Sequence, residues 1–330
     1  MRKFVLSFFS CQATGMDAPS GEKITLKIGN ETARTDSQFV GIQAMVDEVL
    51  AKAGDRIDIK LYPASEKGAP YAMVDMVRSG NGELDIFVGG AGFFAGWDGR
   101  FSIFDIPYLF ENAPQAHAIL DGAFGGEILA ALEPFGIKGL AFYENGVRSI
   151  TNSKRPIKTP DDVKGLEMRI MPGNPVHEKI WTMLGANTHP YPFRDIYENL
   201  KNGNCDGQEH PVATIFSGKF HEVQKYLSLT RHLYGPLIMI MNKAKFDSLP
   251  EDMQKLLVAA ARIGARAQRQ FIVDNEAGAI AEMQKAGMEV NEADAKLFRD
   301  MLRPTIERDY VEKNGDDWLV RIESLKRGEG

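Results

Sequence analysis

Residues 24–61 read ITLKIGNETARTDSQFVGIQAMVDEVLAKAGDRIDIKL, and three patterns follow one another within them. Ile24, Leu26 and Ile28 alternate as on a half-buried strand. Phe39, Ile42, Val46, Val49 and Leu50 then recur at helical spacing, and Ile57, Ile59 and Leu61 alternate again. This is a βαβ beginning. A second helical pattern, Met73, Val74, Met76 and Val77, is stopped by Gly80 and Gly82 and feeds a short apolar strand over Leu84 to Val88. Strand alternating with helix predicts a parallel sheet with helices on both faces.

The same grammar returns further on. Met168 to Met171 reads as a strand, Pro175 to Leu184 as a helix ended by Gly185, and Thr188 to Tyr191 as a strand. A helix with Ile196, Tyr197 and Leu200 then ends at Asn202-Gly203. The runs SGNGELDIFV (79–88) and KNGNCDGQEH (201–210) echo each other, each a glycine stop, an acidic residue and a strand. Two α/β halves of similar design follow from this. The remainder reads as helical, with Met253 to Asp274 running on strong helix formers long enough to bridge both halves. Two open α/β units facing each other put strand ends and helix N-termini at the cleft between them, where such sheets hold their ligands.

A length of 330 residues exceeds what one core organises, in keeping with two domains. With 39 Lys and Arg against 45 Asp and Glu, the net charge of −6 supplies no basic stripe, which argues against nucleic acid as a partner. No stretch of about 18 apolar residues occurs, so no bilayer-spanning helix is expected. The start, Met1-Arg-Lys before FVLSFFSC, has the positive end and short apolar run of a secretory leader, and residues 1–23 are read as lying outside the fold. Acylation of Cys11 is a second reading of the same segment. Cys205, the other cysteine, has no metal-spaced partner and is expected to be a buried small hydrophobe.

Chemistry-bearing motifs are few. Gly90-Ala-Gly92-Phe-Phe-Ala95 follows a strand and has Glu111 about twenty residues on, features that a dinucleotide site needs. The residues after it carry Gly96, Gly99 and Pro107 where a phosphate-capping helix must run, so a ligand-lining loop is the better reading. A nucleotide-dependent enzyme stays open as an alternative. The six histidines, at 117, 177, 189, 210, 221 and 232, never take the four-residue spacing of a zinc helix, and no nucleophile motif is present, so neither metal nor cofactor is called. Arg148 and Arg169 are more telling, because each sits in an apolar strand-like stretch where a buried guanidinium needs an anionic partner. Two internal salt bridges would meet that need, and so would a bound anion.

The run GVRSITNSKRPIKTPDDVKGLEMRIMPGNPVHEKIWTMLGANTHPYPFRDIYENLKNGNCDGQEHP (146–211), then KFHEVQKYLSLTRHLYGP (219–236) and DSLPEDMQK (247–255), resembles the extracytoplasmic solute receptors of TRAP transporters, the DctP-like family. The resemblance runs from about Ile24 onward. It implies a two-lobed α/β fold of the periplasmic-binding-protein kind with a ligand cleft between the lobes and a long interlobe helix. Lobe I then comprises 24–147 with 236–275, and lobe II comprises 148–235 with 276–330. It further implies a periplasmic protein that binds a small organic acid and presents it to a sodium-driven permease of two membrane subunits, without catalysis. A sensor-type module that hands its ligand to a receptor is the other binding alternative.

Carried over residue by residue, Arg169 matches the arginine that pairs with the ligand carboxylate and Arg148 a second ligand-facing arginine. Phe193 in PYPF matches the aromatic that packs over the ligand, and Asn174 in MPGN is counted with the same set. His210 stands where the family's DGQEN run has asparagine, which leaves open which acid is bound. Glu31 occupies the ligand-facing loop after the first strand and suggests a hydroxyl or ammonium donor on the ligand. Gly90 and Phe93 belong to the second cleft loop, which offers backbone and aromatics. Together these favour a carboxylate with an apolar or aromatic portion, or a hydroxy or amino acid, over a plain C4 dicarboxylate.

Overall fold

A computed structural model describes residues 23–329. The leader reading and Cys11 fall on residues outside that range.

The opening unit forms as its periodicity dictates. β1 (Ile24–Asn30) and β2 (Ile57–Tyr62) pair in parallel, Ile24 against Ile57, and α1 (Ser37–Ala53) covers them. The Asp36 side chain accepts a hydrogen bond from the Gln38 amide at 2.9 Å and so starts α1. α2 (Pro70–Ser79) begins on a proline, stops at Gly80 in the left-handed region (φ 63°), and returns the chain to β3 (Ile86–Gly90), parallel to β1. Two short 3₁₀ turns, Ala91–Gly96 and Gly99–Asp105, lead to α3 (Ala113–Leu120) and α4 (Ala123–Ala130).

The sheet is not all parallel, as the alternation of strand and helix led one to expect. β4 (Ile137–Asn152) is a 16-residue strand, and β8 (Tyr226–Asn242), 17 residues long, runs antiparallel to it from end to end. Between them come β5 (Glu167–Ile170), α5 (Pro175–Met183), β6 (Asn187–Pro190), α6 (Ile196–Lys201), β7 (Gly207–Pro211) and α7 (Val212–Ser217). After β8 follow α8 (Lys243–Asp247), α9 (Glu251–Lys285), β9 (Glu289–Glu292), α10 (Ala295–Asn314) and α11 (Asp317–Lys326). All strands join one mixed sheet in the order β2-β1-β3-β8-β4-β7-β5-β6, with β9 on β8. β8 was read as part of a helical remainder. Nearly every one of its side chains is buried, so it carries no two-residue alternation to mark it as a strand.

Along the long pair the sheet changes its partners. The end of β8 at 237–241 pairs with β3, whereas its start at 226–229 pairs with β9, and the end of β4 at 148–152 pairs with β7. Register slips between Glu144 and Gly146 and between Arg148 and Ile150 fall at this changeover, with Gly146 at φ 111° and Arg231 at φ 43°. α9 spans both sides: it packs on α1, on β4 and on α7. At about 1.5 Å per residue its 35 residues extend about 50 Å. Its crossing with α1 is close enough that a Cβ on Gly41 would stand 2.8 Å from the Gly264 carbonyl oxygen. Cys205 is buried beside Ile196, Leu200 and Ile215, as expected of a small hydrophobe.

Candidate ligand-binding site

Strand ends and the turns after them enclose a cavity of about 230 Å³ at the changeover. The structure brings all eight sequence-derived residues to its wall: Glu31 after β1, Gly90 and Phe93 at the end of β3, Arg148 on β4, Arg169 on β5, Asn174 before α5, Phe193 after β6, and His210 on β7. Contributions therefore come from both ends of the sheet.

The two arginines differ. Arg169 is buried, and its Nε donates to the Tyr191 carbonyl at 2.8 Å. Among the described residues, neither terminal nitrogen of Arg169 has a hydrogen-bond partner, although both belong to a cavity-lining side chain. Burial, with repulsion from Arg148, pushes its pKa down to about 10 against the pull of Glu209 and Glu31, so it is charged at neutral pH but uncomfortably so. Arg148 already has its anion. Its Nε and Nη2 grip the two carboxylate oxygens of Glu209, Nη2 at 2.6 Å, and Nη2 also donates to the Glu209 carbonyl at 2.8 Å. The internal salt bridge is thus the right account of most of Arg148, and only Nη1 is left to the cavity.

Glu209 was not singled out in the sequence, yet it anchors the wall. It is fully buried and pairs with Arg148, while His177 Nε2 and His232 Nε2 face it at 2.9 and 3.3 Å, the latter without hydrogen-bond geometry. Burial opposes its ionisation, but the cation and the two imidazoles together outweigh burial and hold the carboxyl well below the usual range. His177 Nδ1 accepts from the Met171 amide at 3.3 Å, which leaves Nε2 as the nitrogen that carries the proton on the side facing Glu209, 2.9 Å away.

Asn174 touches the cavity but its side chain is occupied. Its Oδ1 caps α5 by accepting from the His177 amide at 3.0 Å, and its Nδ2 donates to Asp105 at 3.1 Å. Buried Asp105, raised in pKa chiefly by desolvation, is a second wall residue that no spacing in the sequence marked. Tyr71 is a third, its ring 4.8 Å from that of Phe93, which also lines the cavity. Phe193 lies edge-on to His210, ring centres 5.6 Å apart. Glu31 keeps some surface open to the cavity, yet protein surrounds it, and burial raises its pKa to about 7, with Arg169 pulling the other way.

The model of bacterial extracellular solute-binding protein family 7, DctP, matches residues 28–313. The chain belongs to this family. The solute-binding protein is 36% identical over 329 residues to the 2,3-diketo-L-gulonate-binding periplasmic protein YiaO of Escherichia coli K12, covering 99% of each chain. Among solved structures it is similar to a TRAP periplasmic solute-binding protein from Polaromonas sp. JS666 bound to D-erythronate (34% identity, TM-score 0.86, covering 92% of this chain and 99% of that one). It is also similar to one from Sulfitobacter sp. NAS-14.1 with bound β-D-galacturonate (29%, TM-score 0.85, covering 92% and 99%). The family is one of solute-binding proteins rather than enzymes. The glycine run that suggested a nucleotide site opens into 3₁₀ turns, so no α-helix N-terminus stands behind it to receive a phosphate.

Proposed function

We propose that this solute-binding protein holds a small organic acid in the cavity with the acid's carboxylate on Arg169, closes its lobes over it, and presents it in the periplasm to the membrane subunits of a TRAP permease. The observation that carries this reading is Arg169: a buried, charged guanidinium, oriented by Tyr191, whose two terminal nitrogens lack protein partners on the wall of a cavity. A carboxylate meets such a fork with two parallel charge-assisted bonds. D-Erythronate and β-D-galacturonate, bound by similar proteins, each carry a carboxylate and several hydroxyls. In this reading the lobes divide at 147/148, 235/236 and 275/276, with Glu31, Gly90 and Phe93 on one and Arg148, Arg169, Phe193 and His210 on the other, and the changeover in strand pairing supports the first two divisions.

Contacts divided between two lobes are completed only on closure, so the acid favours the closed form. Moving an equilibrium from mostly open to mostly closed takes about 5.5 kcal/mol of such preference, within the roughly 8 kcal/mol of a micromolar ligand. Small-angle scattering is expected to give a smaller radius of gyration with saturating D-erythronate or D-galacturonate than without. Superimposable curves with a ligand shown to be bound would contradict closure.

Glu31 gives the site a pH dependence. Below about pH 7 it is neutral, and above that it presents a negative charge to the bound anion. Anion binding therefore takes up a proton, and affinity should fall as pH rises through 7, by up to about tenfold per unit. Glu31→Gln should flatten that slope in calorimetric titrations, and an unchanged slope would remove Glu31 from the site.

A further inference from the structure

We infer that a buried hydrogen-bond relay fixes His210 as the neutral, Nδ1-protonated tautomer, so that its Nε2 accepts a hydrogen bond from a ligand hydroxyl and the site favours hydroxy acids over the corresponding keto acids. The inference rests on the proposed function and specifies the ligand class. The relay starts at backbone carbonyls, which only accept. Gln224 Nε2 lies 3.2 Å from the Asp206 and Val223 carbonyl oxygens, so that end of the side chain is the amide nitrogen and the other end is the oxygen. The Thr151 hydroxyl donates to Gln224 Oε1 at 3.0 Å. With its single proton spent there, Thr151 Oγ1 accepts from Gln208 Nε2 at 2.7 Å. Gln208 Oε1 is thereby turned to His210 Nδ1, and a carboxamide oxygen requires that Nδ1 bring the proton.

Gln208, Thr151 and Gln224 are all buried, so water does not offer the relay an alternative arrangement. The ring does not take a second proton either. Burial, then Arg148 and Arg169, hold the His210 pKa well below its usual value, against Glu209, and His177 adds to the lowering. Nε2 therefore carries a lone pair. Among the described residues it has no hydrogen-bond partner, and His210 lines the cavity. The family's asparagine offers a donor as well as an acceptor at this place, whereas a neutral imidazole fixed in this way offers only an acceptor. It attracts a hydroxyl hydrogen and faces a ketone oxygen lone pair to lone pair. Because Arg169 lines the same cavity and is near enough for its charge to act on the imidazole, the hydroxyl selected is one close to the carboxylate.

D-Gluconate and 2-keto-D-gluconate differ only in the oxidation level of carbon 2 and serve as the probes. Calorimetry should favour gluconate at least about tenfold, because a mismatched buried acceptor forfeits its hydrogen bond. His210→Asn should bring that ratio towards one with both acids still bound. Thr151→Val, at a positioning residue that touches no ligand, should also lower it, by freeing Gln208 to turn over, whereas Thr151→Ser should keep it; a purely structural role for Thr151 would change stability but not the ratio. Nitrogen-15 spectra of the full, histidine-labelled chain read the tautomer directly, with Nδ1 protonated and Nε2 bare at neutral pH. A proton on Nε2, or equal affinities in the unaltered protein, would overturn the inference and leave the proposed function standing. If neither gluconate nor any other acid binds, both fall.

Discussion

Arg169→Lys is expected to weaken acid binding at least about tenfold, while Arg169→Met abolishes it and at the same time raises the melting temperature of the ligand-free protein. The two effects share one cause. Burial disfavours the charged form of Arg169 in the empty protein and pushes its pKa down to about 10, and among the described residues only its Nε has a hydrogen-bond partner. Replacing a buried charge that lacks an anionic partner of its own with an apolar side chain relieves the cost of holding that charge out of water. The two terminal nitrogens of Arg169 supply charge-assisted bonds to the carboxylate, roughly 1.5–3 kcal/mol each. Lysine keeps the charge but not the planar fork, nor the Nε that bonds Tyr191 and aims it. Calorimetry and thermal melting of the same samples check both halves. Undiminished affinity would remove Arg169 from the ligand, and a lowered melting temperature for Arg169→Met would mean that the arginine is satisfied within the protein.

The second large effect is on stability. Glu209→Gln should destabilise the fold by about 3–5 kcal/mol, the range for removing one partner of a buried ion pair. It leaves Arg148 without its anion and removes the negative charge that His177 and His232 face. The double change Arg148→Met with Glu209→Gln should recover part of the loss, since no uncompensated charge is then left. The pH dependence has a fixed sign. The folded-state pKa of Glu209 is lowered, so the stability it confers is present above the ordinary carboxylate range and is lost as pH falls towards its folded value. Urea unfolding of the single and double variants measures this. A loss below about 1 kcal/mol for Glu209→Gln would show that the carboxylate is dispensable to the wall.

What could be seen in the sequence and what could not divide along physical lines. Amphipathic segments were legible, because one wet face and one dry face imprint a period: β1, α1 and β2 formed where Ile24 to Leu61 said. β8 was not, because it is buried on both faces and has no period to read. α9 was expected to end at Asp274 and continues to Lys285, its last turns held by Ala279 and Met283, which pack with Met288 and Leu227, a contact that nothing within the helix announces. The eight residues on the cavity wall came chiefly from family resemblance, with Arg148 and Arg169 also marked by being charged in apolar strands. Glu209 was hidden because its partner Arg148 lies 61 residues away and meets it only through the antiparallel pairing of β4 with β7. Asp105 and Tyr71 reach the cavity from a 3₁₀ turn and a helix start, which carry no chemical signature of their own.

What the protein carries out of its own cells reports its ligand most directly. Gently purified protein, denatured and examined by mass spectrometry for released metabolites, should yield a hydroxylated carboxylic acid near one per chain, and Arg169→Met purified in parallel should yield little or none. A neutral sugar or a nucleotide, retained equally by both, would contradict it.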